Sequence, residues 1–447
     1  EDGLLNVSVN PFTRVTDTLL IWAGSRLVAE VPVDLEPLAL FDTVFAVGPV
    51  DRFRVRLPAL ELDYDSDPSA RQLSRSFSTN AQALSTIREV DQSVFEAREL
   101  MKGRRYEQAQ DLFEGVLREE PWNREALLGV AELSYRASDY VDALANVDRV
   151  LQLDAYDAEA NFLAGMLYRE LFRAADARDA FGWAVRSTAY RAAGYAQLAE
   201  LMIGEGRYSE AARYARLSID FDRHGIPAWR AVAVVARRTR DTELTAEAHR
   251  ELLDVDPLHH FVQAERYLEG RSSATRDELV AGLAGEYPEQ TLLELAIAYL
   301  DLRLPDDAWA LLSLQVEVLD NPMARAWRAF IAGDPALLGM DVDLDLVFPF
   351  RRESLQVLAW ASSESDDWTW TYLRALNLWA VGRHEESADL LTTLGDTPDF
   401  APFYATRGLL LNQLRGSDPV TDLRTAVALA PEDRSLHVSL VRHLQDV

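Results

Sequence analysis

The chain has 447 residues and a formal net charge of −28, from 73 acidic and 45 basic side chains, and it contains no cysteine. The acidic balance argues against attraction to nucleic acid or anionic lipid, and the missing thiols exclude disulfides, thiolate metal sites and cysteine nucleophiles. Hydrophobic residues make up 48%, too many for a disordered chain, yet no apolar run approaches the roughly 18 residues of a membrane span. Lys102 is the only lysine; this arginine bias fits a GC-rich genome, a salty habitat, or both. Glu1 begins the chain without Met and without a basic-then-apolar leader, so a processed or excised product with further sequence upstream is expected.

Residues 1–65 read as β structure, in the runs LLNVSV (4–9), TLLIW (18–22), RLVAEVPV (26–33) and DRFRVRL (51–57). Phe53, Val55 and Leu57 alternate with Arg52, Arg54 and Arg56, the pattern of a strand with one buried face. Ala23, Gly24 and Ser25 suit a hairpin turn. A small β-sandwich-like module is expected, and with so little surface to bury it is expected to lean on the first helices or on upstream chain. Residues 66–86 are polar and Ser-rich and read as a linker.

Residues 87–259 hold five units that repeat every 34 positions. A small residue recurs at Ala97, Ala131, Gly165, Ala199 and Ala233, and a second at Ala109, Ala143, Ala177 and Ala211. Tyr106, Tyr140 and Tyr208 share a phase; Phe113 and Phe181 fill the slot held elsewhere by Val147 and Ala215; Pro121 and Pro257 each follow a second helix. Two helices per unit must approach closely at the small residues. This pattern resembles the tetratricopeptide repeat, with its small residue at position 8, aromatic near 17, Ala at 20, bulky apolar residue at 24 and Pro at 32. The fold class expected is mainly α, a right-handed α–α superhelix, with the small all-β module at the N-terminus.

Residues 260–447 lose the strict phase but keep helical pairs. Residues 293–312 carry Ala296, Tyr299 and Ala308, with Pro305 in the turn. In residues 372–391, Gly382 stands six positions before Ala388, the offset of Gly103 from Ala109. A weaker pair spans 402–430 and a capping helix ends the chain. Residues 333–354 hold few helix formers and read as an insertion crossing the superhelix. Eight or nine hairpins are expected in all.

Such a superhelix lines its concave face with positions 2, 5, 9 and 12 of each first helix. Across the five units those positions give a candidate groove of Arg98, Met101, Glu132, Tyr135, Phe162, Met166, Arg169, Glu200, Arg230 and Arg237, with Arg136 one step beside them. Arginines among aromatics and methionines suit a ligand with carboxylate and apolar groups, such as an acidic peptide. The competing reading is that Phe162 and Met166 pack between repeats while the arginines pair with neighbouring glutamates. Val94 and Arg98 occupy the places where the carboxylate clamp of chaperone-binding tetratricopeptide domains has Lys and Asn, so that specific activity is not expected.

Other candidates have simpler explanations. Asp341, Asp343 and Asp345 alternate as at the start of a calcium loop, but Leu346 and Arg352 stand where an EF-hand needs Gly and Glu. His249, His259 and His260 lack metal-ligand spacing. Asn6, Val7 and Ser8 form a glycosylation triplet of the kind common by chance. Trp360, Trp368, Trp370 and Trp379 cluster and suit packing better than a glycan platform. No P-loop, nucleophile elbow or dinucleotide fingerprint is present, so no catalytic residue, metal or cofactor is expected.

Residues 183–201 (WAVRSTAYRAAGYAQLAEL), 256–268 (DPLHHFVQAERYL) and 348–361 (FPFRRESLQVLAWA) resemble a bacterial family that joins a mutarotase-like β-supersandwich domain to a tetratricopeptide array. The resemblance implies a link to carbohydrate metabolism and makes residues 1–65 the module joining the two parts. A non-enzymatic scaffold binding a protein or peptide is expected. Head-to-tail homo-oligomerisation and an accessory part in carbohydrate processing or glycan binding are the alternatives, and an extracellular or periplasmic setting is favoured over the cytoplasm.

Overall fold

The computed structural model describes residues 3–37, 39–48, 52–60, 62–67, 88–283, 288–319, 321–339, 344 and 347–445, in two compact units, Glu1–Thr86 and Ile87–Val447. Most of the linker, 68–86, lies outside the described residues, as do Asp341, Asp343 and Asp345.

The first unit contains six strands: β1 (Leu4–Val9), β2 (Val15–Ala23), β3 (Arg26–Leu35), β4 (Phe41–Ala46), β5 (Phe53–Leu57) and β6 (Leu62–Asp65). β1 pairs with β4, and a second antiparallel sheet runs in the order β3-β2-β5-β6. Val7 of β1 shares a core with Leu19 and Ile21 of β2, Val33 of β3, and Val55 and Leu57 of β5. The β2–β3 turn puts Gly24 at φ +60, where a side chain would be strained. Opposite the buried face of β5, the guanidinium of Arg54 bonds Asp63 at 2.6 Å and that of Arg52 bonds Asp65 at 2.9 Å. Bonding to Arg52 pulls the Asp65 carboxyl down to about 2.

The second unit is an α–α superhelix of the tetratricopeptide type. Its five regular hairpins are α1 (Glu89–Lys102) with α2 (Tyr106–Glu119), α3 (Arg124–Arg136) with α4 (Tyr140–Leu153), α5 (Ala158–Glu170) with α6 (Ala174–Ala184), α7 (Arg191–Gly204) with α8 (Tyr208–Phe221), and α9 (Ile226–Thr239) with α10 (Thr242–Val255). The second helices start at 106, 140, 174, 208 and 242, without drift. Ala97, Ala131, Ala199 and Ala233 of the first helices and Ala109, Ala143, Ala177 and Ala211 of the second are inaccessible to solvent. Gly165 shows why the position must be small: a Cβ there would lie 2.5 Å from the Phe181 ring. His249 falls in the phase of Phe113 and Phe181 and is buried, so it is a core residue, and burial pushes its imidazole pKa down.

The turn inside each hairpin repeats as strictly as the helices. Arg104, Ser138, Phe172, Gly206 and Arg240, 34 positions apart, all adopt positive φ between 58 and 71. The next residue's N–H reaches back to a carbonyl five positions earlier, as in Arg105→Leu100 (2.9 Å) and Arg173→Tyr168 (2.8 Å), the closure that satisfies a helix C-terminus. Gly382 has the same conformation (φ +89) and Gly103 does not (φ −79). The two glycines therefore differ by one position in the hairpin, and Ser387, fully buried with its hydroxyl donating to the Ala375 carbonyl at 2.6 Å, takes the place of Ala109.

The array continues through α11 (His260–Gly270), α12 (Ser273–Gly282), α13 (Pro288–Asp301), α14 (Pro305–Leu319), α15 (Pro322–Ala332), α16 (Ser354–Glu364), α17 (Trp368–Ala380), α18 (His384–Thr393), α19 (Ala401–Arg415), α20 (Val420–Leu429) and α21 (Arg434–Gln445). Pro305 opens α14 and leaves Arg303 (φ +58) to make the turn. No helix of the described residues is long and apolar enough to cross a membrane. The coil is tight: a Cβ on Gly204 at the end of α7 would lie 2.9 Å from Arg303.

Two outcomes follow. Gly165→Ala should lower stability by about 1–3 kcal/mol through overpacking against Phe181, read by urea denaturation; a neutral result would mean the helices are not in contact there. Arg240→Gly should raise stability by about 0.5–1 kcal/mol by relieving a left-handed residue, and any loss contradicts the turn.

Candidate binding site

Because the coil is tight, the first helices do not face open solvent throughout. Those of the second and third hairpins face a cavity of about 990 Å³. One wall is Glu132, Tyr135 and Arg136 of α3 with Phe162 and Met166 of α5; Tyr190 and the α1–α2 turn, from Arg104 to Tyr106, extend it. The opposite wall comes from far along the chain: Phe350, Arg351, Arg352 and Glu353, then Trp379 and His384 at the α17–α18 turn.

The segment before α16 crosses the concave face as a strap. Arg352 donates from Nη1 to the Tyr140 hydroxyl (2.9 Å) and the Glu170 carboxylate (3.0 Å), and its guanidinium lies 4.4 Å from the Tyr135 ring centre. Tyr135 donates to the same Glu170 oxygen at 3.2 Å. Burial pushes both phenols above the usual range, which keeps them as neutral hydrogen-bonding groups. The Arg351 carbonyl accepts from Asn377 at 3.0 Å, and the Arg351 guanidinium meets Glu294 at 3.2 Å. Next to the strap, His384 Nδ1 lies 2.8 Å from Glu107 at the start of α2, and its ring packs on Trp379 with centroids 4.4 Å apart.

Of the groove residues expected from sequence, Glu132, Tyr135, Arg136, Phe162 and Met166 meet in this cavity. Phe162 packs edge-on against Phe181 and beside Tyr190. The others lie elsewhere. Met101 packs half-buried against the core of the first hairpins. Arg98 is shared among Glu125, Glu132 and Glu159 at 3.3–3.6 Å. Arg169 pairs with Glu200 at 2.6 Å and reaches the Asp301 carbonyl at 3.4 Å. Arg237 is bound by Glu265 and Asp307, both at 2.8 Å, in a buried network that Tyr299 joins through Glu265 (2.6 Å) and Arg238 through Asp307 (2.7 Å). Arg230 lines a separate cavity of about 400 Å³. The internal carboxylates thus take several arginines that the repeat phase assigned to a ligand.

Sequence reading did not place Arg104, Arg105, Tyr106, Phe350, Arg352 or His384 in the site. Arg104 and Arg105 carried a signal, two cations at the tip of the first hairpin; the strap's partners are about 200 residues away and carried none. Trp370 is fully buried, Trp360 packs on Phe330, and Trp368 packs between Tyr372 and Phe400. Among the described residues no three His, Asp or Glu side chains gather as metal ligands.

No protein-family model matches the chain, and no curated protein matches its sequence. It is similar to the solved structure of PilW, a widely conserved type IV pilus biogenesis factor, at 19% identity and TM-score 0.42, over 46% of this chain and 99% of that one. It is similar to PilF of Pseudomonas aeruginosa at 15% identity and TM-score 0.40, over 48% and 95%, and to YrrB, described as a TPR protein with an unusual peptide-binding site, at 15% and 0.30, over 47% and 94%. These likenesses concern the fold alone.

Arg352→Met should cost about 2–3 kcal/mol, because it removes two charge-assisted bonds and leaves Glu170 without its cation. Amide exchange should rise over residues 347–353. A loss below about 0.5 kcal/mol, ordinary for an exposed pair, would show that the strap does not hold the cavity.

Proposed function

We propose that the chain is a non-enzymatic interaction scaffold that holds an extended peptide segment of a protein partner in the concave cavity. The observation that carries this is the cavity's composition. Tyr106, Phe162, Tyr190, Phe350 and Trp379 supply aromatic surface. Arg104 and Arg105 sit at its edge, exposed, and no described carboxylate pairs with them. Aromatic anchors with adjacent arginines favour a segment with apolar side chains and a nearby carboxylate. The volume, about 990 Å³, reaches the upper end of small-molecule sites and admits several side chains of a peptide.

The same residues speak against catalysis in this cavity. Three of its carboxylates are each held by an arginine, Glu132 by Arg136, Glu159 by Arg124 and Glu353 by Arg352, and Glu107 lies against the His384 imidazole, all within 3.1 Å. An acid or base held in this way is poorly placed to exchange protons with a substrate. We also propose kinship with the bacterial family in which a mutarotase-like domain precedes the array, supported by the three segments between 183 and 361 and their order.

A peptide-display selection on the purified protein should enrich segments that combine aromatic and acidic residues. Replacing Tyr106, Phe162 and Trp379 together by Ala should weaken a selected peptide about 30-fold or more, roughly the 2 kcal/mol of an anchor cluster. Replacing Arg104 and Arg105 by Ala should flatten its salt dependence. Binders whose affinity survives all of these changes would remove the cavity from the function.

A further inference from the structure

Arg230 differs from Arg237, Arg169 and Arg407. Arg237, two helical turns further along α9, has two carboxylate partners; Arg169 has Glu200 and Arg407 has Asp422. The Arg230 guanidinium lies 5.2 Å from the Phe261 ring centre, its buried Nε has no acceptor, and no described carboxylate lies within ion-pair distance. Burial pushes its pKa down, whereas the buried Arg169 and Arg237 are raised by their carboxylate neighbours. A half-buried cation with no carboxylate in contact carries a desolvation cost that a ligand anion would offset.

The cavity of about 400 Å³ in front of Arg230 is shaped for such an anion. Ile226, Phe261, Leu295 and Ala298 give it one apolar side, against which a charged hydrogen bond is strengthened, while His259, His260 and Thr291 add polar groups to the lining. Two carboxylates also line it; neither is within ion-pair distance of Arg230, although the charge of Glu294 acts on the guanidinium and partly opposes the effect of burial. Asp256 accepts from the Leu258 N–H at 3.0 Å, and Glu294, whose side chain is 64% exposed, is drawn to Arg351 at 3.2 Å. Together they place negative charge beside the cavity and disfavour a ligand with a second anionic group.

We propose that this cavity is a second binding site, taking one carboxylate on an apolar body, with the carboxylate on Arg230 and the body against Phe261 and Leu295. Such a group occurs in a free apolar acid or at the C-terminus of a peptide ending in an apolar residue. The site is separate from the concave cavity, so it stands or falls independently of the peptide proposal.

N-acetyl-leucine, its neutral amide, and a short peptide ending in leucine with a free or an amidated C-terminus serve as probes in isothermal titration. Both free carboxylates should bind and both amides should not. The peptide binding more tightly than N-acetyl-leucine identifies a chain terminus as the source, and equal affinities identify the free acid. Arg230→Met should weaken binding at least about tenfold, the contribution of one charged hydrogen bond. The unliganded Arg230→Met protein should melt no lower than the parent, because the change removes a half-buried charge with no carboxylate in contact. Glu294→Gln should tighten binding. No binding to the parent protein, affinity unchanged in Arg230→Met, or Arg230→Met and Glu294→Gln both melting lower, as a closed Arg230–Glu294 pair requires, overturns the proposal.

Discussion

The helical unit rests on one steric constraint: each first helix must offer its partner a residue small enough for the ring or branch of position 24 to sit against its backbone. Gly165 meets it for Phe181, and Gly129 of the next hairpin meets it for Phe113, while Ala97, Ala131, Ala199, Ala233, Val147 and Ala215 are inaccessible to solvent. Each buried phenylalanine contributes about 1.5–3 kcal/mol, but only where the small partner allows contact. Where position 24 is Ala215, the helices of that hairpin share a large contact with α9, and Met202, Ile203 and Val232 complete the core. A constant small residue at a constant step produces a constant turn, and therefore a coil.

The coil then determines the chemistry of its inner face. Because it winds tightly, cations that would face solvent in an open array meet carboxylates from helices far along the chain, as Arg237 meets Asp307 and Arg352 meets Glu170. Isolated pairs of this kind add little when exposed and are expensive to break when buried. Here they tie the strap and the α13–α14 turn to the early hairpins, and the space between them is the cavity. An acidic chain with a net charge of −28 thus keeps two arginines at the edge of that cavity, Arg104 and Arg105, with which no described carboxylate pairs.

The repeats were legible because their signal is local: residues 34 apart do the same job. The boundaries of the hairpins were less so. The left-handed turn residue is Gly in only one of the five regular units, so Arg104, Ser138, Phe172 and Arg240 concealed it, and the resemblance of Gly103 to Gly382 misplaced one hairpin by a residue. In the β module, β4 and β6 escaped notice. β6 reads LDYD, too charged to suggest a strand, and is held by arginines on β5 that the alternation of β5 did reveal. Half the cavity was legible, since positions on α3 and α5 follow from the repeat phase. The other half was not, because the contact of Arg352 with Tyr140 joins residues 212 positions apart through a segment with no periodicity.

The central claim is that the superhelix brings its first hairpin against the α17–α18 turn, so that the concave face holds a partly open cavity. The absence of cysteine allows a direct measurement, with spin labels on cysteines introduced at Gln108 and Glu385, which flank the Glu107–His384 contact. Pulsed electron–electron resonance should give one short, narrow distance distribution that is unchanged by dilution. A broad distribution at long distance would mean an open, flexing array and would contradict the account.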